Sequence, residues 1–160
     1  MRIIGIDPGT GILGFGVIET GAPKGRIRLV DAGVVRTPAK RSDAERLLTI
    51  YRELSEVIRQ TKPDHMVVEK LFFAQNVTTG MTVSQARGVV LLCGIQAGMD
   101  ITEYTPLQIK QSLTGYGRAD KQQMQEMVRV TLGLQETPRP DDCADALAAA
   151  IVYAMRAIGV

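Results

Sequence analysis

Three apolar stretches, residues 2–7, 12–19 and 26–36, open the chain with links too short for anything but turns. They are rich in Ile, Val, Leu and Phe, and the links read "PGTG" and "TGAPKG", so each stretch suits a pleated, half-buried surface bounded by turn residues. Parallel pairing needs a crossover of a dozen residues or more, so these links favour an antiparallel meander. The first stretch ends oddly. Ile3, Ile4, Gly5 and Ile6 run straight into Asp7, Pro8 and a cluster of glycines. Taken alone, an aspartate in "DPG" is a turn residue, a phosphate-loop residue or a metal ligand.

The hydrophobic period then changes. "SDAERLLTIYRELSEVIRQTK" sets Leu47, Tyr51, Leu54 and Ile58 on one helical stripe, with Ser42 and Glu45 in a capping-box pattern before it and Pro63 after it. The strand "HMVVEKL" carries Glu69, a helix is predicted over 79–97, and "DITEYT" reads as a further strand. Thr105, Pro106 and Gln108 are the N-cap, first position and box position of a helix in "TPLQIKQSL". After the loop "GYGRA", Asp120 caps "DKQQMQEMVRVTLG" and Gly133 ends it; "QETPRP" leads into a last helix, "DDCADALAAAIVYAMRAIG". This order predicts one domain over residues 1–160, a mixed sheet covered by helices, α/β or α+β in class.

At 160 residues, 45% apolar and 22% charged, the chain has the make-up of a soluble protein with a real core. The apolar runs at 89–97 and 144–157 are too short or too alanine-rich for a membrane span of about 20 residues. No secretory signal is visible, and Cys93 and Cys143 make no disulfide framework, so the expected setting is the reducing cytoplasm.

Four carboxylates stand where burial ordinarily excludes them: Asp7 and Glu69 at strand ends, and Asp142 and Asp145 three apart near the start of the last helix. Asp141 competes with Asp142, since it shares the Asp145 face at four residues and both suit a helix start through capping and the macrodipole. Glu69 has a plainer explanation too, an ion pair with Lys70 or Arg2. If the acids converge, their mutual repulsion is relieved by a hard, oxygen-preferring cation, Mg²⁺ or Mn²⁺, and two ions sharing a carboxylate make a site suited to phosphodiester hydrolysis. The single histidine, His65, reads as a surface or strand-entry residue.

"GIDPGTGILGFGVIE", "VVEKLFFAQN", "SQARGV" and "DDCADALAAAI", in this order and over nearly the whole chain, resemble the motif set of the RuvC family of Holliday junction resolvases. The resemblance implies an RNase H-like fold, a five-stranded mixed sheet of three antiparallel strands followed by two parallel ones, flanked by helices and acting as a homodimer. It implies Asp7, Glu69, Asp142 and Asp145 as the catalytic, metal-holding set, with Asp141 as a capping neighbour. Asp7 would bridge two Mg²⁺ ions, and in-line attack of activated water would leave a 3′-hydroxyl and a 5′-phosphate. The glycines around Asp7 would turn the chain tightly and keep the approach to it open.

For DNA contact, the resemblance points to Phe72, stacking on an unpaired base beside the site, and to Lys110 and Lys121, neutralising phosphates. Asn76 and Arg118 are further candidates, Lys70 and Arg87 looser ones, and Phe73 is read as core. The formal net charge is only +2, but with the four acids set aside the remainder carries six net positive charges. The helix around "SQARGVVLLCGIQAG" is expected at a two-fold dimer interface, and the RuvA–RuvB branch-migration complex is the expected partner assembly. Three rivals compete: a nuclease acting on RNA–DNA hybrids, a non-catalytic junction-binding module, and an actin-like nucleotide phosphohydrolase. The last needs two such domains and a much longer chain, and the second would show a broken acid set.

Overall fold

The N-terminal meander forms as its short links dictate. β1 (Arg2–Asp7) pairs antiparallel with β2 (Ile12–Gly21), which pairs antiparallel with β3 (Arg26–Arg36). The computed structural model describes residues 1–21, 25–70 and 77–159. Helix α1 (Asp43–Thr61) then carries the chain across to β4 (His65–Glu69), which joins β1 in parallel register. A second crossover through α2 (Val77–Gln96) brings β5 (Asp100–Tyr104) parallel to β4, and the sheet order is β3-β2-β1-β4-β5. Three helices complete the described chain: α3 (Pro106–Thr114), α4 (Lys121–Leu132) and α5 (Asp141–Ile158).

The helix starts follow local chemistry. Ser42 with Glu45 and Thr105 with Gln108 close reciprocal capping boxes, and Asp120 does the same with Gln123, each satisfying amide donors that a helix start leaves bare. Two expectations need correction. The second helix begins at Val77 rather than at 79. The last helix has Pro140 at its N-cap with no side-chain cap bond, so Asp141 is its first residue and its carboxylate is spent elsewhere.

The core lies in two layers. On one face of the sheet Ile4, Ile6, Met66 and Val68 meet Ile50 and Leu54 of α1 and Val90 of α2. On the other, Ile3 and Val67 meet Ile109, Val128, Leu147 and Ile151 from α3, α4 and α5. Burying such a side chain fully contributes about 1.5–3 kcal/mol. α5 is the most deeply set helix, with Ala146, Leu147, Ala148, Ala149, Ala150 and Ile151 nearly inaccessible. Its small side chains let the helix backbone rest on the strands, and two glycines complete that approach. A methyl at Gly5 would stand 2.0 Å from the Ala146 carbonyl oxygen, and one at Gly14 would stand 2.0 Å from that of Asp142. Beyond turning the chain, then, the glycine-rich opening lets the last helix come down onto β1 and β2.

His65 opens β4 but is not on the surface. It is 8% exposed, stacks on Tyr153 with ring centroids 3.9 Å apart, and its Nε2 is 2.9 Å from the Thr102 hydroxyl. Burial lowers its pKa. Among the described residues no helix is long and apolar enough to cross a membrane.

Candidate active site

Register brings the first two carboxylates together. Ile6 pairs with Val68 across parallel strands, so the next residues, Asp7 and Glu69, end neighbouring strands side by side. Side chains alternate along a strand, so both acids share a face with Gly5 and Val67, the face that α5 covers. The start of α5 reaches the same place, because Gly14, which pairs with Asp7 across β1 and β2, lies under the Asp142 carbonyl.

A cavity of about 280 Å³ opens there, lined by Asp7, Glu69 and Asp145 together with Lys110 of α3 and Lys121 of α4, over apolar Ile109, Met124 and Ala148. Asp142, one turn before Asp145, is not part of the lining, but its charge acts on the site: it raises the pKa of both Asp7 and Asp145. Burial and then the charges of Asp145 and Asp142 push Asp7 up to about 7, with Lys121 opposing. Glu69 is likewise pushed up to about 7 by burial and by Asp7 and Asp145, with Lys110 opposing. Asp145 is raised mainly by burial. Three carboxylates that resist ionisation around one cavity are a site lacking positive charge.

Lys121 supplies part of it. Its ammonium is 3.1 Å from Asp141 Oδ2 and 3.7 Å from Asp145 Oδ2. Asp141 also accepts a 2.8 Å hydrogen bond from Gln125 Nε2, and its pKa is lowered by these partners, Lys121 first. The role assigned to Asp141 from the sequence was therefore incomplete: it is the residue that tethers Lys121. No local spacing signals this contact, which joins two helices, and Gln125 went unread for the same reason.

The all-oxygen donor set suits a hard divalent cation, and the raised pKa values mark where its charge is wanted. Among the described residues no three ligating side chains are already gathered tightly enough to hold an ion. Mutual repulsion acts against that gathering, and a cation would reverse it.

The other expected residues separate. Lys110 and Lys121 line the cavity. Arg118 is exposed in the loop before α4 and does not line it. Phe72, Phe73 and Asn76 lie outside the described residues. Arg87 is engaged by Glu103, its Nε 3.1 Å from Oε1. The plainer pairing for Glu69 does not form with Arg2, whose guanidinium bonds Glu19 at 3.0 Å and the Thr61 carbonyl at 2.7 Å.

Sheet order, parallel crossovers and strand-end acids under a terminal helix define a protein of the RNase H-like class. The yeast mitochondrial Holliday junction resolvase Ydc2 shares this fold at a TM-score of 0.70 and 10% identity, over 95% of this chain and 77% of that one. Within that class the chain belongs to the crossover junction endodeoxyribonuclease RuvC family, whose description matches residues 3–153. The family member from Desulfitobacterium hafniense is 57% identical over 155 residues, 96% of this chain and 92% of the relative. The structure of Thermus thermophilus RuvC in complex with Holliday junction substrate superimposes at a TM-score of 0.91 with 39% identity, covering 99% of this chain and 96% of that one.

Proposed function

We propose that this protein, acting as a single domain over residues 1–160, resolves Holliday junctions by divalent-metal-dependent nicking of two strands of like polarity. The observation that carries the reading is the meeting of Asp7 and Glu69, on adjacent parallel strand ends, with the first turns of α5 around a cavity that also holds two lysines. Asp7, Glu69, Asp142 and Asp145 would hold the divalent cation, Mg²⁺ in this reading. When bound, the cation polarises the phosphodiester and lowers the pKa of the attacking water. The chain's own part is to release the protons that Asp7 and Glu69 retain near pH 7, to hold the scissile phosphate, and to offset charge as it develops. Lys110 and Lys121, which line the same cavity, serve the last two tasks. Phe72, Asn76 and Arg118 extend the DNA contact beyond it.

A homodimer offers two such sites to two symmetry-related strands. The exposed apolar side chains Met81, Leu92 and Ile95 on α2 and Leu48 on α1 support an interface on that face. The setting is the cytoplasm, alongside the RuvA–RuvB complex. Glu69→Gln tests the site: the variant is expected to bind a synthetic four-way junction as the parent does and to lose nicking in Mg²⁺. Undiminished nicking overturns the assignment.

A further inference from the structure

The cavity's two lysines come from helices on one face of the sheet, and the other face carries basic side chains of its own. At that side, α1 begins beside the turn that follows Asp7. Thr37, just past β3, donates its amide to the Gly11 carbonyl at 3.0 Å and its hydroxyl to the Thr10 carbonyl at 2.5 Å. Arg46 of α1 donates Nε to the Thr37 hydroxyl at 2.9 Å. Its guanidinium lies against the turn, since a methyl on Gly11 would stand 3.3 Å from Nη2. The inner edge of this arginine is therefore fixed, while among the described residues neither Nη atom has a hydrogen-bond or ion-pair partner. Here the planar fork is held in place and left open, the preorganised half of a bidentate phosphate contact.

Its surroundings reinforce the point. Arg36 at the end of β3 and Lys40 on the β3–α1 connection are exposed and, among the described residues, have no ion pair, whereas the nearby Arg41 is taken by Glu45 at 2.8 Å. In the turn itself, the Thr10 hydroxyl is buried and, among the described residues, has no partner. Arg46 belongs to the helix that packs with Ile50 and Leu54 on one face of the sheet; Lys110 and Lys121 come from helices on the other. The sheet whose strands end in Asp7 and Glu69 lies between the two layers.

We propose that Arg46 is a phosphate clamp for the DNA backbone, gripping a strand on the side of the cleavage site remote from Lys110 and Lys121, with Arg36 and Lys40 as flanking phosphate contacts. This rests on the junction-cleaving function proposed above. The test is the affinity of the full chain for a synthetic four-way DNA junction, measured by anisotropy in chelator over a series of salt concentrations. Each lost phosphate contact lowers the slope of log affinity against log salt by about 0.9. Arg46→Gln is expected to reduce the slope by about that amount, and Arg46→Lys to retain it; an Arg46→Gln slope equal to the parent's overturns the clamp. Should Arg46→Gln not fold, dicarbonyl labelling of the unaltered protein decides instead. Junction DNA is expected to shield Arg46 from modification, and equal labelling with and without DNA overturns the proposal. Failure of the parent itself to prefer the junction over linear duplex would instead sink the underlying function.

Discussion

Replacing Asp7 with asparagine should make the metal-free protein more stable while removing its activity. The carboxyl has an ordinary value of 3.8 and is pushed up to about 7. The folded state therefore holds a proton that the unfolded chain releases between these values. Its contribution to stability is complete below the unfolded pKa and is lost as pH rises through the folded one. At about 1.4 kcal/mol per unit, the whole shift would correspond to about 4 kcal/mol. That is a ceiling, because Glu69 and Asp145 share the same repulsion and solvent reaches the cavity, so a realistic gain is about 1–3 kcal/mol at about pH 8. For a chain of this size each kcal/mol moves Tm by about 2–4 °C, which makes the expected rise about 2–12 °C. Calorimetry in chelator at about pH 8 and about pH 4 checks both the sign and the window: Asp7→Asn gains at the higher pH and matches the parent at the lower. A variant whose Tm equals or falls below the parent's at the higher pH would refute the idea of a repulsive, cation-seeking cluster. Junction binding should persist in the variant and nicking should vanish.

Adding Mg²⁺ near neutral pH should raise the parent's Tm through linkage, and raise that of Asp7→Asn much less; equal shifts in both would place the ion elsewhere. Gly14→Ala forces a methyl against the Asp142 carbonyl and should cost about 3 kcal/mol in denaturant unfolding, the upper end for overpacking. Asp141→Asn weakens the tether on Lys121, and an exposed pair of this kind supports only about a two- to five-fold fall in kcat, with Tm unchanged. His65→Ala loses the stack on Tyr153 and should destabilise by about 2 kcal/mol, leaving the nicking rate per folded molecule as it was.

Much of this architecture is legible because local signals agree with the tertiary outcome. Short links compel the meander, and the Ser42–Glu45 and Thr105–Gln108 boxes mark helix starts that the structure reproduces. The four acids stand out because charge at the end of an apolar strand, or at the head of an alanine-rich helix, costs free energy unless something compensates. What stays hidden is decided between elements distant in sequence. Gly5 and Gly14 look like flexibility until α5 is seen resting on them. Asp141 looks like a cap until Lys121 arrives from another helix. His65 reads as a surface or strand-entry residue; it does open β4, but its burial stays hidden because its partners, Tyr153 and Thr102, lie far along the chain. Arg46 gave no sequence signal at all, since a lone arginine at a helix start is an ordinary solvated residue until its anchor on Thr37 appears.

The central claim, a metal-dependent junction resolvase built on these carboxylates, is tested most directly by offering the protein three substrates side by side. These are a synthetic four-way junction, a linear duplex of the same sequence, and an RNA–DNA hybrid, each with Mg²⁺ and with chelator. The account predicts paired nicks in two junction strands of like polarity, with 5′-phosphate and 3′-hydroxyl ends, and none in chelator. Cleavage of the hybrid or the duplex at a comparable rate, or a junction left intact in Mg²⁺, would contradict it.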